Sequence, residues 1–462
     1  MAAPALHTIP VTRRPPKNWA QTANAAAFIV VFNVAAAMIH LVQLAVLLPL
    51  GALRAAAPAG WAASAYADVA RECKGAVAQL LVLTTQWFAP TTLRLTFETA
   101  GQGALSPAQL ETLVERDAAG RVVRLRLPEQ SVLVSNHQMY ADWWYAWVLT
   151  YFCGTHKDVI IVLKKSLKWV PFLGWAMQFF SFIFLARSWA SDRLELASSL
   201  ASLARRATAA STPLALVLYP EGTLVSPYTR PVSARYAAAR GHADPAHGTL
   251  VSPYTRPVSA RYAAARGHAD PAHVLLPRAT GLHYSLRALA PRVPALKLVD
   301  LTIVYPGVPV AGAGAGEAEY AQGFYTLRSI FFDRVPPPVV HMHVRVFDVV
   351  QDVPIGEVAA AGKEKGNGLA KAGLEGGETA PAEVEFPAAE REAFDGWLRA
   401  LWADKDALIE RFHATGSFGE KADATRVDVP VALKTRREAL NAFAFFVPGV
   451  VGVLWARVAH LL

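Results

Sequence analysis

Residues 131–142, which read SVLVSNHQMYAD, join a short apolar run to a group of polar side chains. The first five residues are mostly β-branched or apolar, a pattern typical of a buried strand. His137 and Asp142 follow that run and lie five positions apart. On one continuous helix, five steps of about 100° would place the two side chains about 140° apart. We therefore expect a turn after the strand and a helix that begins near Asp142.

The pairing of His137 with Asp142 predicts general-base chemistry. A carboxylate that accepts a hydrogen bond from one imidazole nitrogen fixes the tautomer, so that the other nitrogen can take a proton from a hydroxyl group. This is the His–carboxylate half of a catalytic triad, with the hydroxyl of the substrate as nucleophile in place of an enzyme serine. A histidine and an aspartate at this spacing are also common by chance, so the prediction needs support from other elements.

A second apolar run, residues 214–219, leads into a similar turn that contains Glu221, Gly222 and Thr223. A glycine at this place lets backbone N–H groups come close to an anion, and a threonine hydroxyl can donate to a phosphate oxygen. We expect Glu221 to orient an arginine or the polar groups of a substrate. An ordinary strand-ending turn is the competing interpretation.

The rest of the chain alternates between strand-like runs and helical stretches. This order predicts an α/β fold with a largely parallel sheet flanked by helices. Further strands are expected at residues 159–163, 296–305 and 339–347, and helices at 143–152, 192–209 and 387–412. We divide the chain into a membrane-anchoring region (1–95), a catalytic domain (96–350), a partly disordered linker (351–386) and a C-terminal helical region (387–462).

The composition favours contact with lipid over nucleic acid. Hydrophobic residues make up 53% of the 462 residues and charged ones 18%, and the formal net charge is +9. A positive charge suits nucleic acid or an anionic membrane surface, but the sequence has no zinc-ligand spacing and no base-reading helix. Two cysteines, Cys73 and Cys153, cannot build a disulfide framework or a metal site, which indicates a reducing compartment.

Three apolar segments predict membrane helices at the N-terminus and a hydrophobic helix at the C-terminus. Residues 25–50 carry no charge and as a helix would be roughly 39 Å long, enough to cross a hydrocarbon core of about 30 Å. Basic residues before this segment predict a cytosolic N-terminus, and a cleaved signal peptide is the alternative. Residues 75–89 are expected to complete a hairpin or to lie at the interface. Residues 439–462 carry Pro448 in their middle and predict a kinked or interfacial helix, with a plain buried helix pair as the alternative.

Residues 163–184 begin with lysines among apolar residues and continue as an aromatic-rich run. Such a segment suits a membrane interface, with its basic groups at lipid phosphates and its rings at the apolar boundary. Arg187 follows, and the planar fork of an arginine suits bidentate binding of phosphate. A solvated basic face beside a core helix is the alternative.

One internal repeat is present, because residues 222–247 recur without change as residues 248–273. Repeat architectures need three or more units, so a solenoid is not expected. We interpret one 26-residue copy of this tandem duplication, 222–273, as surplus. The other copy would then directly precede Val274 in the fold.

Together these elements resemble the glycerolipid acyltransferase superfamily, which includes the lysophosphatidic acid acyltransferases. The N-H-x4-D block of that family matches residues 136–142, and its E-G-T block matches residues 221–223. The arginine that ends its second block matches Arg187, and LTIVYPGVP at residues 301–309 fits its fourth block. The order and spacing of these blocks also match, over about residues 133–309.

The resemblance implies an acyl-CoA-dependent O-acyltransferase with no metal and no bound cofactor, since acyl-CoA is a co-substrate. On this interpretation His137 is the general base, Asp142 orients it, and Arg187 with Glu221, Gly222 and Thr223 binds the acceptor phosphate. The implied partners are membrane lipid, acyl-CoA and a lysophospholipid, and no nucleic acid. The active site is expected to face the cytosol at the endoplasmic reticulum or another endomembrane.

One departure from the family pattern concerns the acceptor. The acid-forming branch usually has an arginine directly after E-G-T, whereas Leu224 occupies that place here. The flanking sequence is more similar to the branch that reacylates lysocardiolipin or lysophosphatidylinositol, and Arg230 or Arg256 is the candidate replacement cation. The alternatives are acylation of lysophosphatidic acid and, in a different class, a catalytically silent membrane protein that binds lipid.

Overall fold

The structure of this chain is a computed structural model. It describes residues 5–57, 60–170, 173–186, 188–209, 212–226, 229, 271–309, 320–357 and 387–459. Residues 358–386 of the predicted linker 351–386 lie outside these residues, as do Arg187, Arg230 and Arg256, the arginines proposed from the sequence as phosphate-binding cations.

Eight of the described strands form one mixed sheet. They are β1 Thr92–Phe97, β4 Gln130–Ser135, β5 Val159–Lys164, β6 Ile183–Leu185, β7 Leu214–Leu218, β8 Lys297–Val304, β9 Val339–Asp348 and β10 Val427–Pro430. A separate hairpin pairs β2 Val114–Arg116 with β3 Val122–Leu125. The order of strands across the large sheet is β10-β1-β9-β8-β4-β7-β5-β6.

The five strands β8, β4, β7, β5 and β6 are parallel neighbours, which confirms the predicted α/β class. β9 runs antiparallel to β8, and β1 is parallel to β9 and antiparallel to β10. The central strands β7 and β8 are buried along almost their whole length, because both faces of the sheet are covered. The antiparallel edge was not predicted, because the alternation of strands and helices along a chain does not reveal the direction of each strand.

The described helices surround this sheet. They are α1 Trp19–Val42, α2 Leu48–Ala56, α3 Trp61–Phe88, α4 Pro107–Thr112, α5 Asp142–Cys153, α6 Leu173–Phe179, α7 Trp189–Ala209, α8 Ala279–Leu289, α9 Ala321–Phe324, α10 Leu327–Phe331, α11 Ala388–Thr415, α12 Glu420–Asp423, α13 Arg436–Asn441 and α14 Val447–Ala459. The three long helices predicted after residue 140 are therefore present as α5, α7 and α11, with ends shifted by a few residues.

The N-terminal apolar segment forms one long helical unit. α1, a π-helical turn at Gln43–Leu47 and α2 together cover Trp19–Ala56, whose 38 residues are the one candidate membrane span among the described residues. The second segment expected at the membrane, residues 75–89, forms the C-terminal half of α3. Its residues 80–83 are at most 2% exposed, because they pack against neighbouring helices that include α1 and α5. Apolar composition alone does not distinguish lipid contact from contact inside the protein.

The C-terminal apolar run divides into two helices, α13 and α14. The break lies at residues 442–446, where Ala444 adopts a positive φ of 62°. Pro448, the expected site of a kink, lies instead in the first turn of α14, where a proline removes no helical hydrogen bond. α14 contacts α3 and exposes Val451 and Trp455. The run thus contains the end of α13, a turn, and a short helix with an exposed apolar side.

A buried ion cluster attaches α11 to the centre of the sheet. Asp300 of β8 is fully buried and accepts hydrogen bonds from Lys405 Nζ at 2.6 Å and from Arg345 Nε at 3.0 Å. Burial alone would raise the pKa of Asp300, but the positive charges of Lys405 and Arg345 outweigh burial and lower that pKa. Because loss of one partner leaves a buried charge uncompensated, this cluster holds α11 on the sheet.

The two outer ends of the tandem duplication lie beside the end of β4. At the start of the first copy, the backbone N–H of Val225 donates to the carbonyl of His137 at 2.8 Å. At the end of the second copy, the carbonyl of His273 accepts from Gln138 Nε2 at 2.9 Å. One copy has the same first and last residues as the pair, so a single copy can supply both contacts.

We predict that deletion of residues 248–273 retains or improves thermal stability. Each doubling of the length of a loop raises the free-energy cost of closing it by only about 0.6 kcal/mol. The deletion also leaves the residue types at the two outer ends of the duplication unchanged. The midpoint of thermal unfolding should be measured for the purified protein in detergent, beside a variant in which residues 236–261, which leave both outer ends intact, are replaced by a Gly/Ser stretch of equal length. Unfolding of the deletion variant would show that both copies are structural.

Candidate active site

Three parallel strands end beside one another and supply the polar side chains of one site. β4 is followed by Asn136 and His137, β7 by Tyr219 and Glu221, and β8 by Tyr305. Since β8, β4 and β7 are adjacent and parallel, their carboxyl ends meet at one crevice, where open α/β sheets usually bind ligands. The two turns singled out in the sequence therefore belong to the same site.

Asn136 attaches the end of β4 to β8. Its fully buried side chain donates to the carbonyl of Ile303 at 2.9 Å and accepts from the N–H of Ile303 at 2.8 Å. These two bonds replace a backbone pair of the sheet ladder. The chain can therefore leave the strand at His137 while β4 and β8 stay in register.

His137 and Asp142 meet across the turn that follows β4. The distance from His137 Nδ1 to Asp142 Oδ2 is 2.7 Å, and Asp142 is the first residue of α5. The carboxylate accepts this hydrogen bond, so Nδ1 carries the proton and Nε2 keeps its lone pair. The His137 side chain is 18% exposed, whereas Asp142 is completely buried. This geometry, a turn and then a helix start, is the one that the spacing of the two residues required.

Asp142 accepts three further hydrogen bonds. The backbone N–H groups of Gln138 and Met139 donate to Oδ2 at 2.6 Å and 3.0 Å, and the Tyr305 hydroxyl donates to Oδ1 at 2.5 Å. Tyr305 was not predicted as a site residue. It lies far from Asp142 in the sequence, and the contact depends on the pairing of β4 with β8.

The ring of Tyr219 lies against the imidazole of His137. The two ring centroids are 4.6 Å apart with an interplanar angle of 31°. The Tyr219 hydroxyl is buried and has no hydrogen-bond partner among the described residues, so the contact depends on the ring. Tyr219 was also missed, although an aromatic residue directly before Pro220 and Glu221 was a signal in the sequence.

Glu221 lies beneath the backbone of His137 and is 2% exposed. Its Oε1 accepts from the N–H of His137 at 3.4 Å and from Trp402 Nε1 at 3.2 Å, while Oε2 has no partner in the described part of the chain. Burial raises the pKa of Glu221 to about 8, and the hydrogen bond from Trp402 only partly offsets it. At neutral pH this carboxyl group is therefore mostly protonated.

Gly222 and Arg278 meet at the turn after β7. Gly222 has a positive φ of 72°, which favours glycine, and a Cβ at this position would lie 3.6 Å from Arg278 Nε. The backbone N–H of Arg278 donates to the carbonyl of Pro220 at 2.8 Å. Thr223 follows and is partly buried. The turn thus brings a cation, Arg278, that was not among the predicted site residues; Arg187 stays a prediction.

α11 closes one side of the site. Asp406 accepts hydrogen bonds from the backbone N–H groups of Ala272 and His273, at 2.9 Å and 2.6 Å. Ile409 and His413 line a small cavity that Gln138 and Tyr305 also line. The C-terminal helical region therefore contacts the same cluster of polar side chains that the two turns form.

The chain thus forms an α/β domain that carries a histidine–carboxylate pair at the carboxyl ends of its parallel strands. A family profile described as Acyltransferase matches residues 122–256, which include both turns. Over these residues the chain is similar to the glycerolipid acyltransferase superfamily, and among its branches to the lysophosphatidylinositol and lysocardiolipin acyltransferases.

Three relatives illustrate this similarity. The chain is 32% identical to the 2-acyl-1-lysophosphatidylinositol acyltransferase of Saccharomyces cerevisiae, over 63% of this chain and 64% of that protein. It is 26% identical to lysocardiolipin acyltransferase 1 of Danio rerio, over 62% of this chain and 53% of that protein. It is 28% identical to 1-acyl-sn-glycerol-3-phosphate acyltransferase 2 of Arabidopsis thaliana, over 50% of this chain and 48% of that protein. The matches thus span about half to two thirds of these relatives, and no solved structure matches.

We predict that Glu221→Gln stabilises the protein relative to wild type by an amount that grows with pH. The pKa of Glu221 is raised in the fold to about 8, from about 4.5, so the folded state binds more protons between these values. The contribution of Glu221 to stability therefore falls as pH rises through this window.

The measurement is the difference in unfolding temperature between Glu221→Gln and wild type from pH 5 to pH 9. The same change at an exposed residue of α4, Glu111→Gln, is the control. A difference for Glu221→Gln that stays constant across this range would contradict the assignment.

Proposed function

We propose that this protein transfers an acyl group from acyl-CoA to the free hydroxyl of a lysophospholipid. The observation that carries the proposal is the hydrogen bond of 2.7 Å between His137 Nδ1 and Asp142 Oδ2. With the proton on Nδ1, the lone pair of Nε2 is available to accept a proton. This imidazole is partly exposed and lies at the carboxyl ends of the parallel strands. The similarity to lysophospholipid acyltransferases supports the same reaction.

In the proposed reaction, His137 Nε2 removes the proton of the acceptor hydroxyl while the oxygen attacks the thioester carbonyl carbon. The carbon–sulfur bond of the tetrahedral intermediate then breaks, and the imidazolium returns the proton to the leaving CoA thiolate. Asp142 stabilises the imidazolium and keeps the Nδ1–H tautomer. No enzyme nucleophile and no bound cofactor take part, because the substrate hydroxyl is the nucleophile and acyl-CoA is a co-substrate.

For the acceptor phosphate we propose the turn after β7. Gly222 and Thr223 can present a backbone N–H and a hydroxyl to an anion, and the guanidinium of Arg278 lies beside Gly222. Glu221, mostly neutral at pH 7, adds little repulsion toward a phosphate. Arg187 is the further predicted cation of this phosphate site.

For the acceptor class we propose lysophosphatidylinositol or a lysocardiolipin-type lipid. Leu224, which occupies the place where the acid-forming branch has arginine, is 6% exposed and packs inside the protein. A buried leucine cannot bind a phosphate, so this position does not favour lysophosphatidic acid. Acylation of lysophosphatidic acid is the second candidate, because the chain is also similar to 1-acyl-sn-glycerol-3-phosphate acyltransferase 2.

We further propose that the protein associates with the endoplasmic reticulum or another endomembrane, with its active site toward the cytosol. Apolar side chains of the helical unit Trp19–Ala56 are exposed, among them Val30, Leu41 and Leu48. The basic and aromatic segment Lys165–Trp169 lies close to this unit, since Gln43 Nε2 donates to the carbonyl of Ala176 in the adjoining α6. Exposed apolar side chains beside lysines and tryptophans suit the boundary of an anionic bilayer.

The function is tested by acyl transfer from labelled acyl-CoA in microsomes that contain this protein as the only added acyltransferase. The acceptors are lysophosphatidylinositol, monolysocardiolipin, lysophosphatidic acid and lysophosphatidylcholine. Transfer to lysophosphatidylinositol or monolysocardiolipin is expected. Preference for lysophosphatidic acid would establish the second candidate, and no transfer to any acceptor would favour a lipid-binding protein without catalysis.

We predict that His137→Ala lowers the rate of acyl transfer by about 10²–10⁴-fold, because the general base is lost. Asp142→Asn should also be severely impaired, since an amide can support the wrong imidazole tautomer. Asp117→Asn, the same change in the exposed turn between β2 and β3, is the control and should keep full activity. If His137→Ala keeps more than roughly a tenth of the wild-type rate, the assignment of the base is wrong.

We predict that a glycosylation acceptor tag inserted at Gly120 stays unmodified in cells. Gly120 lies in the exposed turn between β2 and β3, on the same domain as the site. Acyl-CoA is available on the cytosolic side, so this domain should face the cytosol. The same tagged protein behind a secretory leader shows that the tag can be glycosylated, and efficient modification without the leader would refute the orientation.

A further inference from the structure

The two oxygens of the Asp142 carboxylate are held very differently. Oδ2 is surrounded by three donors, namely His137 Nδ1 and the backbone N–H groups of Gln138 and Met139. Among the described residues, Oδ1 accepts a hydrogen bond from one side chain only, the hydroxyl of Tyr305 at 2.5 Å. All donors to Oδ2 come from the turn that also carries His137, so Tyr305 is the donor that comes from another element.

Tyr305 is rigidly placed for this role. It is 2% exposed and directly follows β8, whose residue Ile303 is held to the end of β4 by the side chain of Asn136. Its ring packs near two other aromatic rings, with centroid distances of 6.3 Å to Tyr145 and 5.9 Å to Tyr325. The position of its hydroxyl is therefore determined by the sheet and not by the turn.

Two-point attachment limits the rotation of a carboxylate about its Cβ–Cγ bond. With Oδ2 bound alone, rotation could exchange the oxygens or tilt the carboxylate plane away from the imidazole. A donor fixed to the sheet on Oδ1 opposes both motions and stabilises the ionised form of a buried carboxylate. The orientation of His137 then depends on the sheet through Asp142.

We propose that Tyr305 is a positioning residue, whose hydroxyl fixes the carboxylate of Asp142 and thereby the imidazole of His137. This inference rests on the proposed function, since it assumes that His137 is the base. It assigns a role in the site to a residue that lies outside the matched region 122–256 and reaches Asp142 only through the pairing of β4 with β8.

The test is Tyr305→Phe, which keeps the ring and removes the hydroxyl. Loss of a hydrogen bond to a charged group should lower kcat by about tenfold to a hundredfold, while the KM for the lysophospholipid stays within about twofold of wild type. The matched control is Tyr151→Phe, because Tyr151, at the other end of α5, donates to the carboxylate of Glu438 at 2.8 Å. Tyr151→Phe should lower the unfolding temperature comparably and leave kcat unchanged.

A double-mutant cycle with Asp142→Asn separates positioning from a general loss of stability. If Tyr305 acts through Asp142, Tyr305→Phe should lower kcat little further once Asp142 is asparagine. Full additivity of the two changes, or an unchanged kcat for Tyr305→Phe, would overturn the inference. If His137→Ala is inactive and Tyr305→Phe is fully active, this inference alone is rejected. If His137→Ala is active, the proposed function is rejected.

A second variant covers the case in which Tyr305→Phe does not fold. 3-Fluorotyrosine at position 305 keeps the ring and the hydroxyl but makes the hydroxyl a stronger donor. It should alter kcat and leave the KM for the lysophospholipid unchanged. An unaltered kcat would overturn the inference.

Discussion

The arrangement of this site depends on the hydrogen-bond donors that the buried carboxylate of Asp142 requires. Asp142 is completely buried, and an ionised carboxylate without donors is strongly unfavourable in such surroundings. Its donors come from the turn after β4 and from the residue after β8, so the strand ends and the start of α5 must be placed together. The two hydrogen bonds between the Asn136 side chain and the backbone of Ile303 keep these strand ends in register. The ring of Tyr219, which follows β7, packs against the imidazole of His137 and limits its movement.

The second constraint comes from the far end of the chain. α11 lies outside residues 122–256, but its Trp402 contacts the buried Glu221. Its Asp406 accepts a hydrogen bond from the backbone N–H of His273, whose carbonyl accepts from the side chain of Gln138. The buried cluster of Asp300, Arg345 and Lys405 holds this helix on the sheet. A family domain and a C-terminal helix therefore form one site, and removal of the helix would expose Glu221 to solvent.

Much of the fold could be predicted from local patterns. The apolar runs that became β4, β7 and β8 are bounded by turn residues, and the spacing of His137 and Asp142 required the turn that is observed. The apolar composition of residues 75–89 predicted a helix near the membrane, but it did not predict the contacts of that helix with α1 and α5. The break at Ala444 was missed because nothing in the sequence marks an alanine that adopts a positive φ.

The α/β class, the two polar turns and the residue types of the His–carboxylate pair could be predicted from the amino-acid sequence, because each depends on neighbours along the chain. The distant groups that complete the site, namely Tyr305, Trp402 and Arg278, are identified from the folded chain. Their places depend on which strands pair and which helix covers the sheet. Those choices follow from the burial of many apolar side chains together, and no short segment of the sequence contains that information.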